Sequence, residues 1–262
     1  MSDVIDISRH ESVFNPAEFN YPCHIIGAGA TGSRVFAALV ELGMKQISVY
    51  DDDIIEEHNL ANQIYTGHDV GLAKVEGCMK FVQRKLGIGE TAAIPAEFRF
   101  IQRKVTDAYL ASGENMQGGI VFILTDTMES RRIIFDALES RCRRARTSSR
   151  AANTAPLLII ETRMGSTHGS IFTINPFDIA ACKEWRSTLV DDTDPDNIEL
   201  SPCGTTLSVG TTASLIANYA VWQMKNFFVD PVGLHPRIDL FFKPTLTITS
   251  PARQWRFELV GS

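Results

Sequence analysis

The stretch Gly27-Ala28-Gly29-Ala30-Thr31-Gly32, set between an apolar run and a helical pattern, constrains this chain more than any other. The run Pro22–Gly27 (PCHIIG) reads as a buried strand that stops at glycines. Ala30–Gly43 follows with Val35, Leu39 and Leu42 three or four apart, the period of a helix. A GxGxxG sequence alone is weak evidence, because a merely tight turn uses glycine too. Between a strand and a helix it has a mechanical meaning. Small residues let the backbone approach a phosphate at the helix N-terminus.

The rest of the chain extends this unit. Gln46–Asp51 reads as a second strand, and Asp52–Gly71 as a long connection with few regular signals. Leu72–Leu86 is an amphipathic helix with Val75, Met79, Val82 and Leu86 inward and Gly87 as its stop. Ala92–Phe98 is a weaker third strand, Gly119–Leu124 a strong fourth, Met128–Arg146 a helix and Pro156–Thr162 a fifth strand. Strands alternating with helices predict an α/β fold, a doubly wound and mostly parallel sheet covered on both faces. After residue 162 the pattern changes. His168–Asn175 alternates and reads as an edge or antiparallel strand. Asp191–Glu199 is an acidic loop with nothing to bury. Val209–Phe228, with Leu215, Ile216, Tyr219 and Trp222, is apolar nearly all round and predicts a long buried helix. Arg237–Val260 holds two apolar runs separated by Ser250-Pro251, a terminal antiparallel pair.

Composition excludes several classes. Lysine plus arginine is 25 and aspartate plus glutamate is 31, a net charge of −6, which argues against nucleic acid as a partner. The apolar stretches are strand-sized, too short to span a membrane, and no secretory signal is visible. Five cysteines without a CxxC argue against a disulfide framework and against zinc, so a reducing cytoplasm is the expected compartment.

Asp51 ends the second strand 19 residues after Gly32, where dinucleotide folds place the acid that binds ribose hydroxyls. Up to this point a nicotinamide-dependent oxidoreductase fits as well as an ATP enzyme. The next segment separates them. It runs from Asp51-Asp52-Asp53 through Asn59-Leu60-Ala61-Asn62-Gln63 to Gly71-Leu72-Ala73-Lys74. It resembles the E1-like adenylating enzymes, that is, ubiquitin-activating enzymes and their bacterial relatives serving thiamine and molybdenum cofactor synthesis. Their pattern is an acid, a short gap, Asn-Leu-x-Arg-Gln, and then Gly-x-x-Lys. The resemblance covers Ser8 to Asp126 well and the remainder loosely. It implies a Rossmann-like, E1-type ATP-binding core over 22–162, preceded by an arm over 1–21. An extension over 163–262 would hold a crossover loop and helix and belong to the same domain.

The resemblance also implies roles. Asp51 binds the ATP ribose, Gly27, Gly29 and Gly32 cradle the nucleotide, and Asn59, Asn62 and Gln63 line the phosphate pocket. Lys74 sits on the phosphates. Asp126, in Leu124-Thr125-Asp126, holds magnesium, and Arg9 enters the partner subunit's site in a homodimer. The implied reaction is ATP-dependent adenylation of the C-terminal carboxylate of a ubiquitin-like or sulfur-carrier protein, or of a peptide ending in glycine. A catalytically silent nucleotide-binding scaffold is a further reading, motivated by one departure. Asn62 stands where the family has an arginine, and asparagine cannot replace the charge-assisted bidentate bonds of a guanidinium.

Each residue also has a plainer reading. Lys74 is a solvated side chain or a phosphate ligand; a lysine at a helix start opposes the dipole and favours the second. Asp126 caps the helix from Met128 or holds a metal. Arg9 is otherwise a surface residue. Arg141, Arg143, Arg144 and Arg146 complement a helix C-terminus or form a docking surface. Cys203, in Ser201-Pro202-Cys203-Gly204, is an acyl-accepting nucleophile near a helix start or a small packed residue.

Overall fold

The computed structural model describes residues 5–19, 21–89, 93–111, 116, 118–148, 153–192, 194 and 207–251. The strands are β1 (Cys23–Ile26), β2 (Ile47–Asp51), β3 (Phe98–Gln102), β4 (Ile120–Ile123), β5 (Leu158–Met164), β6 (His168–Ile174), β7 (Arg237–Phe242) and β8 (Thr245–Thr249). The helices are α1 (Ala30–Glu41), α2 (Lys74–Leu86), α3 (Asp107–Ala111), α4 (Met128–Ala145), α5 (Ile179–Arg186) and α6 (Gly210–Val229). All eight strands form one sheet in the order β3-β2-β1-β4-β5-β6-β7-β8. β3, β2, β1, β4 and β5 run parallel, and β5 through β8 pair antiparallel. This is the doubly wound, Rossmann-like α/β fold that the alternation predicts.

Burial explains the parallel half. Every residue of β1 and β4 is buried, as is β2 up to Asp51. A strand covered on both faces needs no polar alternation. On one face Ile25, Val49, Phe122 and Ile160 pack with Phe36 and Leu39 of α1, Val82 of α2 and Ile216 and Met224 of α6. On the other, Ile26, Ile123 and Ile159 pack with Phe135 and Leu138 of α4 and Trp185 of α5. The Trp185 and Phe135 rings stack with centroids 3.9 Å apart. α2 stops at Gly87, whose φ of 64° is the left-handed turn that glycine adopts without cost.

Four expectations change. β3 spans Phe98–Gln102 rather than Ala92–Phe98. Pro95 cannot donate to a ladder, and its carbonyl instead accepts the Phe98 N–H at 3.0 Å. β6 is antiparallel but not an edge, since β5 and β7 flank it. The terminal hairpin turns at Lys243-Pro244, before Ser250-Pro251. α6 is buried on one side only. Ile216, Ala217, Ala220 and Met224 are covered, whereas Leu215 is 44% and Trp222 55% exposed, with Tyr219 between them. Spacings of three and four put those three on one outward face. No helix among the described residues is long and apolar enough to cross a membrane.

The packing predicts a contrast measurable by urea denaturation. Phe135→Ala lowers stability by about 3–5 kcal/mol, the cost of an aromatic cavity in a closed core. Leu215→Ser changes it by about 0.5 kcal/mol or less. Equal losses at both positions would mean that the outward face of α6 is covered.

Candidate nucleotide site

The sheet order reverses between β1 and β4, and open α/β sheets bind ligands in the crevice at such a switch point. Gly27 follows β1 with a φ of 96°, and a Cβ there would lie 2.7 Å from the Leu124 carbonyl oxygen. A Cβ on Gly32 would lie 1.9 Å from the Gly27 oxygen. These two glycines let β1, α1 and the end of β4 meet backbone to backbone. Gly29 differs. Its φ of −75° suits any residue, and a Cβ there would meet nothing within 4 Å. It serves as the N-cap of α1, with no side-chain cap and no acid in the first turn. The open space before this uncapped helix start fits a phosphate group.

Asp51 shapes the loop from below. Its Oδ2 accepts the Ala28 N–H at 2.6 Å, and its Oδ1 accepts the Asp53 N–H at 2.8 Å. Burial raises its pKa, opposed by those two hydrogen bonds and the Lys74 charge. Asp51, Asp52 and Asp53 offer carboxylates within 4.8 Å of one another. The Asp51 oxygens are engaged by backbone, and Asp53 is paired, so this is a hydrogen-bonded turn. Tyr65 closes the loop from the side, its hydroxyl donating to the Ala28 oxygen at 2.7 Å.

The connection after β2 is tied at its base. Ile54 bridges Ala73, the Lys74 N–H donates to the Asp53 oxygen at 2.9 Å, and Lys74 Nζ lies 2.6 Å from Asp53 Oδ2. Lys74 is therefore a buried first residue of α2 in an ion pair, not a solvated side chain. Within the loop, buried Asp69 accepts from Thr66 and takes a bidentate bond from Arg84 at 3.1 and 3.2 Å. Asn59 is buried and its Oδ1 accepts the Glu56 N–H at 2.9 Å, capping a 3-10 turn. Asn62 Oδ1 and Gln63 Oε1 are buried with no hydrogen-bond partner among the described residues.

At the end of β4, Thr127 rather than Asp126 caps α4, its Oγ1 accepting the Ser130 N–H at 3.2 Å. Asp192, at the start of the acidic segment, takes the Met128 and Glu129 N–H groups at 2.8 and 3.0 Å. With the helix start satisfied by these two residues, the capping role read for Asp126 is overturned. Its exposed carboxylate accepts no hydrogen bond among the described residues and would offer a cation a single ligand, with no further carboxylates grouped around it among those residues. Beneath it, Arg131 donates to the Thr125 oxygen at 2.9 Å and lies 3.4 Å from buried Glu161.

Arg9 is exposed in a turn ahead of β1. Cys203 and most of the acidic segment lie outside the described residues. The other cysteines, Cys23, Cys78, Cys142 and Cys182, are free and buried, and burial pushes the last three up to about 12. The arginine cluster is structural: buried Arg141 donates to the carbonyls of Met116 and Leu110, and Arg143 pairs with Glu139 at 3.0 Å. Sequence reasoning missed Tyr65, Asp192 and Arg34. The last is the one basic residue of α1, and its Nε donates to the Asn62 oxygen at 3.1 Å.

A glycine loop at the switch point, an acid ending β2 and an exposed carboxylate after β4 stand where doubly wound sheets bind nucleotides. The ThiF family model matches residues 19–247, and the chain belongs to this E1-like adenylyltransferase family. It is 30% identical over 90 residues to the SAMP-activating enzyme E1 of Haloferax volcanii, covering 34% of this chain and 32% of that one. The crystal structure of E. coli MccB with ATP superposes with a TM-score of 0.60 at 16% identity, covering 89% of this chain and 64% of that one. E. coli tRNA N6-threonylcarbamoyladenosine dehydratase, TcdA, gives 0.58 at 16% identity, covering 84% and 92%. At these identities the structural likeness concerns the fold. The chain spans about a third of the SAMP-activating enzyme over the matched stretch and less than two thirds of MccB.

Two predictions follow from the geometry. Thermal denaturation should show Gly29→Ala costing about 1 kcal/mol, as a lost N-cap does, with the ATP-induced rise in Tm abolished. Gly32→Ala should cost about 3 kcal/mol or more, because backbone must move. Equal costs would sink the claim that the space at Gly29 is open. In native protein at neutral pH, Cys23, Cys78, Cys142 and Cys182 should resist iodoacetamide and react in urea. Mass mapping that finds any of the four labelled in the native state would contradict their burial.

Proposed function

We propose that this chain uses ATP to adenylate a carboxylate. The observation that supports this reading is the contact of the glycine loop with the end of β4, Gly27 against Leu124, two residues before Asp126. Membership in the ThiF family supports ATP over nicotinamide as the nucleotide. A carboxylate oxygen of the substrate attacks the α-phosphorus of ATP, pyrophosphate leaves, and an acyl adenylate forms. The N–H groups at the start of α1 bind phosphate oxygens, Asp51 accepts from the ribose, and Gln63 and Asn59 line the pocket. Lys74 adds positive charge next to Asp51. Asp126 would hold magnesium, which offsets charge on the phosphates when bound.

The carboxylate is the C-terminus of a ubiquitin-like or sulfur-carrier protein, or of a peptide ending in glycine. The SAMP-activating enzyme and MccB, solved with N-formylated MccA, support that class. A sulfur, cysteine or amine nucleophile then takes the acyl group, with Cys203 the nucleophile this chain itself offers. In this reading residues 1–21 form an arm whose Arg9 completes the site of a second subunit in a homodimer. Residues 22–162 hold ATP, and 163–262 supply the crossover and partner-facing part of the same domain. The free cysteines support a cytoplasmic location. Asn62 keeps one second reading open, a scaffold that binds ATP without turnover.

ATP–pyrophosphate exchange tests both. Exchange that depends on a protein or peptide ending in glycine supports adenylation, and ATP binding without exchange supports the scaffold. Asp126→Asn should fold normally and lower exchange at least about 100-fold, as loss of a metal ligand does. Normal magnesium-dependent exchange in that variant would remove Asp126 from the site.

A further inference from the structure

The cations around the crevice are not equivalent. Lys74 is matched by Asp53 at 2.6 Å, Arg84 by Asp69 and Arg131 by Glu161. Arg34 pairs with no carboxylate among the described residues. It is half-buried, and desolvation pushes its pKa below the ordinary arginine value. Among the described residues one of its five donors is used, the Nε on the Asn62 oxygen. Its Nη2 lies against the start of α6, 3.1 Å from where a Cβ on Gly210 would stand. That Cβ would also lie 2.8 Å from the Ala61 oxygen and 3.3 Å from Asn62 Cα, so only glycine admits this approach.

This places a guanidinium at the positive end of a 20-residue helix that has no side-chain cap and no acid in its first turn. Helix starts repel cations, so α6 does not stabilise this guanidinium, and an anion beside the contact would offset both positive ends. The guanidinium sits at residue 62, the position where an asparagine stands in place of arginine, and its Nε is held by the backbone oxygen of that residue. The unpartnered side-chain oxygens there, Asn62 Oδ1 and Gln63 Oε1, are acceptors and offer nothing to a phosphate, so Arg34 is the charged donor at this position.

We propose that Arg34 supplies the phosphate-binding guanidinium of this site, reaching from α1 to the place that residue 62 leaves without a charge. The ligand it takes is the polyphosphate of the nucleotide. The proposal rests on the reading that the crevice binds ATP. It also explains how the pocket lacks an arginine at residue 62 without lacking a fork of donors for phosphate.

Calorimetric titration of the full chain with magnesium-ATP and, separately, with adenosine tests it. Arg34→Gln should weaken ATP at least about 10-fold, the effect of losing a charge-assisted bond, while adenosine binds within about 2-fold of the parent. Arg34→Lys should fall between, because it keeps the charge and loses the fork. Adding Asn62→Arg to Arg34→Gln should recover ATP binding, a rescue that a merely structural role would not give. Unchanged ATP affinity in Arg34→Gln, or equal losses for ATP and adenosine, overturns the proposal while leaving the crevice an ATP site. Failure of the parent chain to bind ATP removes that reading and the proposal with it.

Discussion

The structure depends on one steric condition: at the glycine loop, β1, α1 and the end of β4 meet backbone to backbone. Gly27 against the Leu124 carbonyl and Gly32 against the Gly27 carbonyl leave no room for a methyl group. Interiors are close-packed, so such a contact cannot be relaxed by small shifts. It sets the width of the crevice and the direction in which α1 leaves the sheet. The open position at Gly29 and the placement of Asp126 are consequences of it. A chain with bulkier residues at 27 or 32 would have to separate β1 from β4, and with them the two halves of the site.

Charge is organised around that contact in matched and unmatched groups. Deep in the sheet, Glu161 is shared by Arg131, Arg163 and the Trp185 indole, with Trp185 Nε1 at 3.0 Å and Arg163 Nε at 3.0 Å. This network lies on β5, where the parallel half meets the antiparallel half. Buried ion networks contribute little net stability when whole but are costly to break. Here they hold α4, α5 and β5 to one another beneath the exposed carboxylate of Asp126. The bond from Asp192 to the start of α4 joins the beginning of the acidic segment to the same spot. Asp126 and Arg34, which have no ion-pair partner among the described residues, are of opposite sign.

Much of this was legible from local pattern. β1, β2, β4, α1, α2 and α4 lie within a few residues of their expected places, because each is an apolar period ended by glycine or a cap. The terminal hairpin and β3 were displaced, because Pro95, Pro244 and Pro251 each mark a possible break and only pairing partners decide among them. α6 read as buried because composition ignores which face meets the sheet. The glycine loop and Asp51 were legible because their meaning is local. Arg34 was not: its significance requires Asn62 and Gly210, 28 and 176 residues along the chain, to be folded against it. Asp126 was legible as a position, but only the hydrogen bonds of Thr127 and Asp192 separate it from a helix cap.

The closed base of the segment between Ile54 and Ala73 has a consequence for how such a protein can change. The bridge, the Lys74 backbone bond and the Lys74–Asp53 ion pair make a neck. Beyond it the loop is pinned to the body at buried Tyr65, through the Ala28 oxygen, and at buried Asp69, through Arg84. Strand β2 and helix α2 therefore meet in one register whatever side chains the unpinned positions of the loop carry. Lengthening a flexible loop costs only about 0.6 kcal/mol per doubling, so those positions are where such a chain can change without moving the scaffold. Position 62 is one of them.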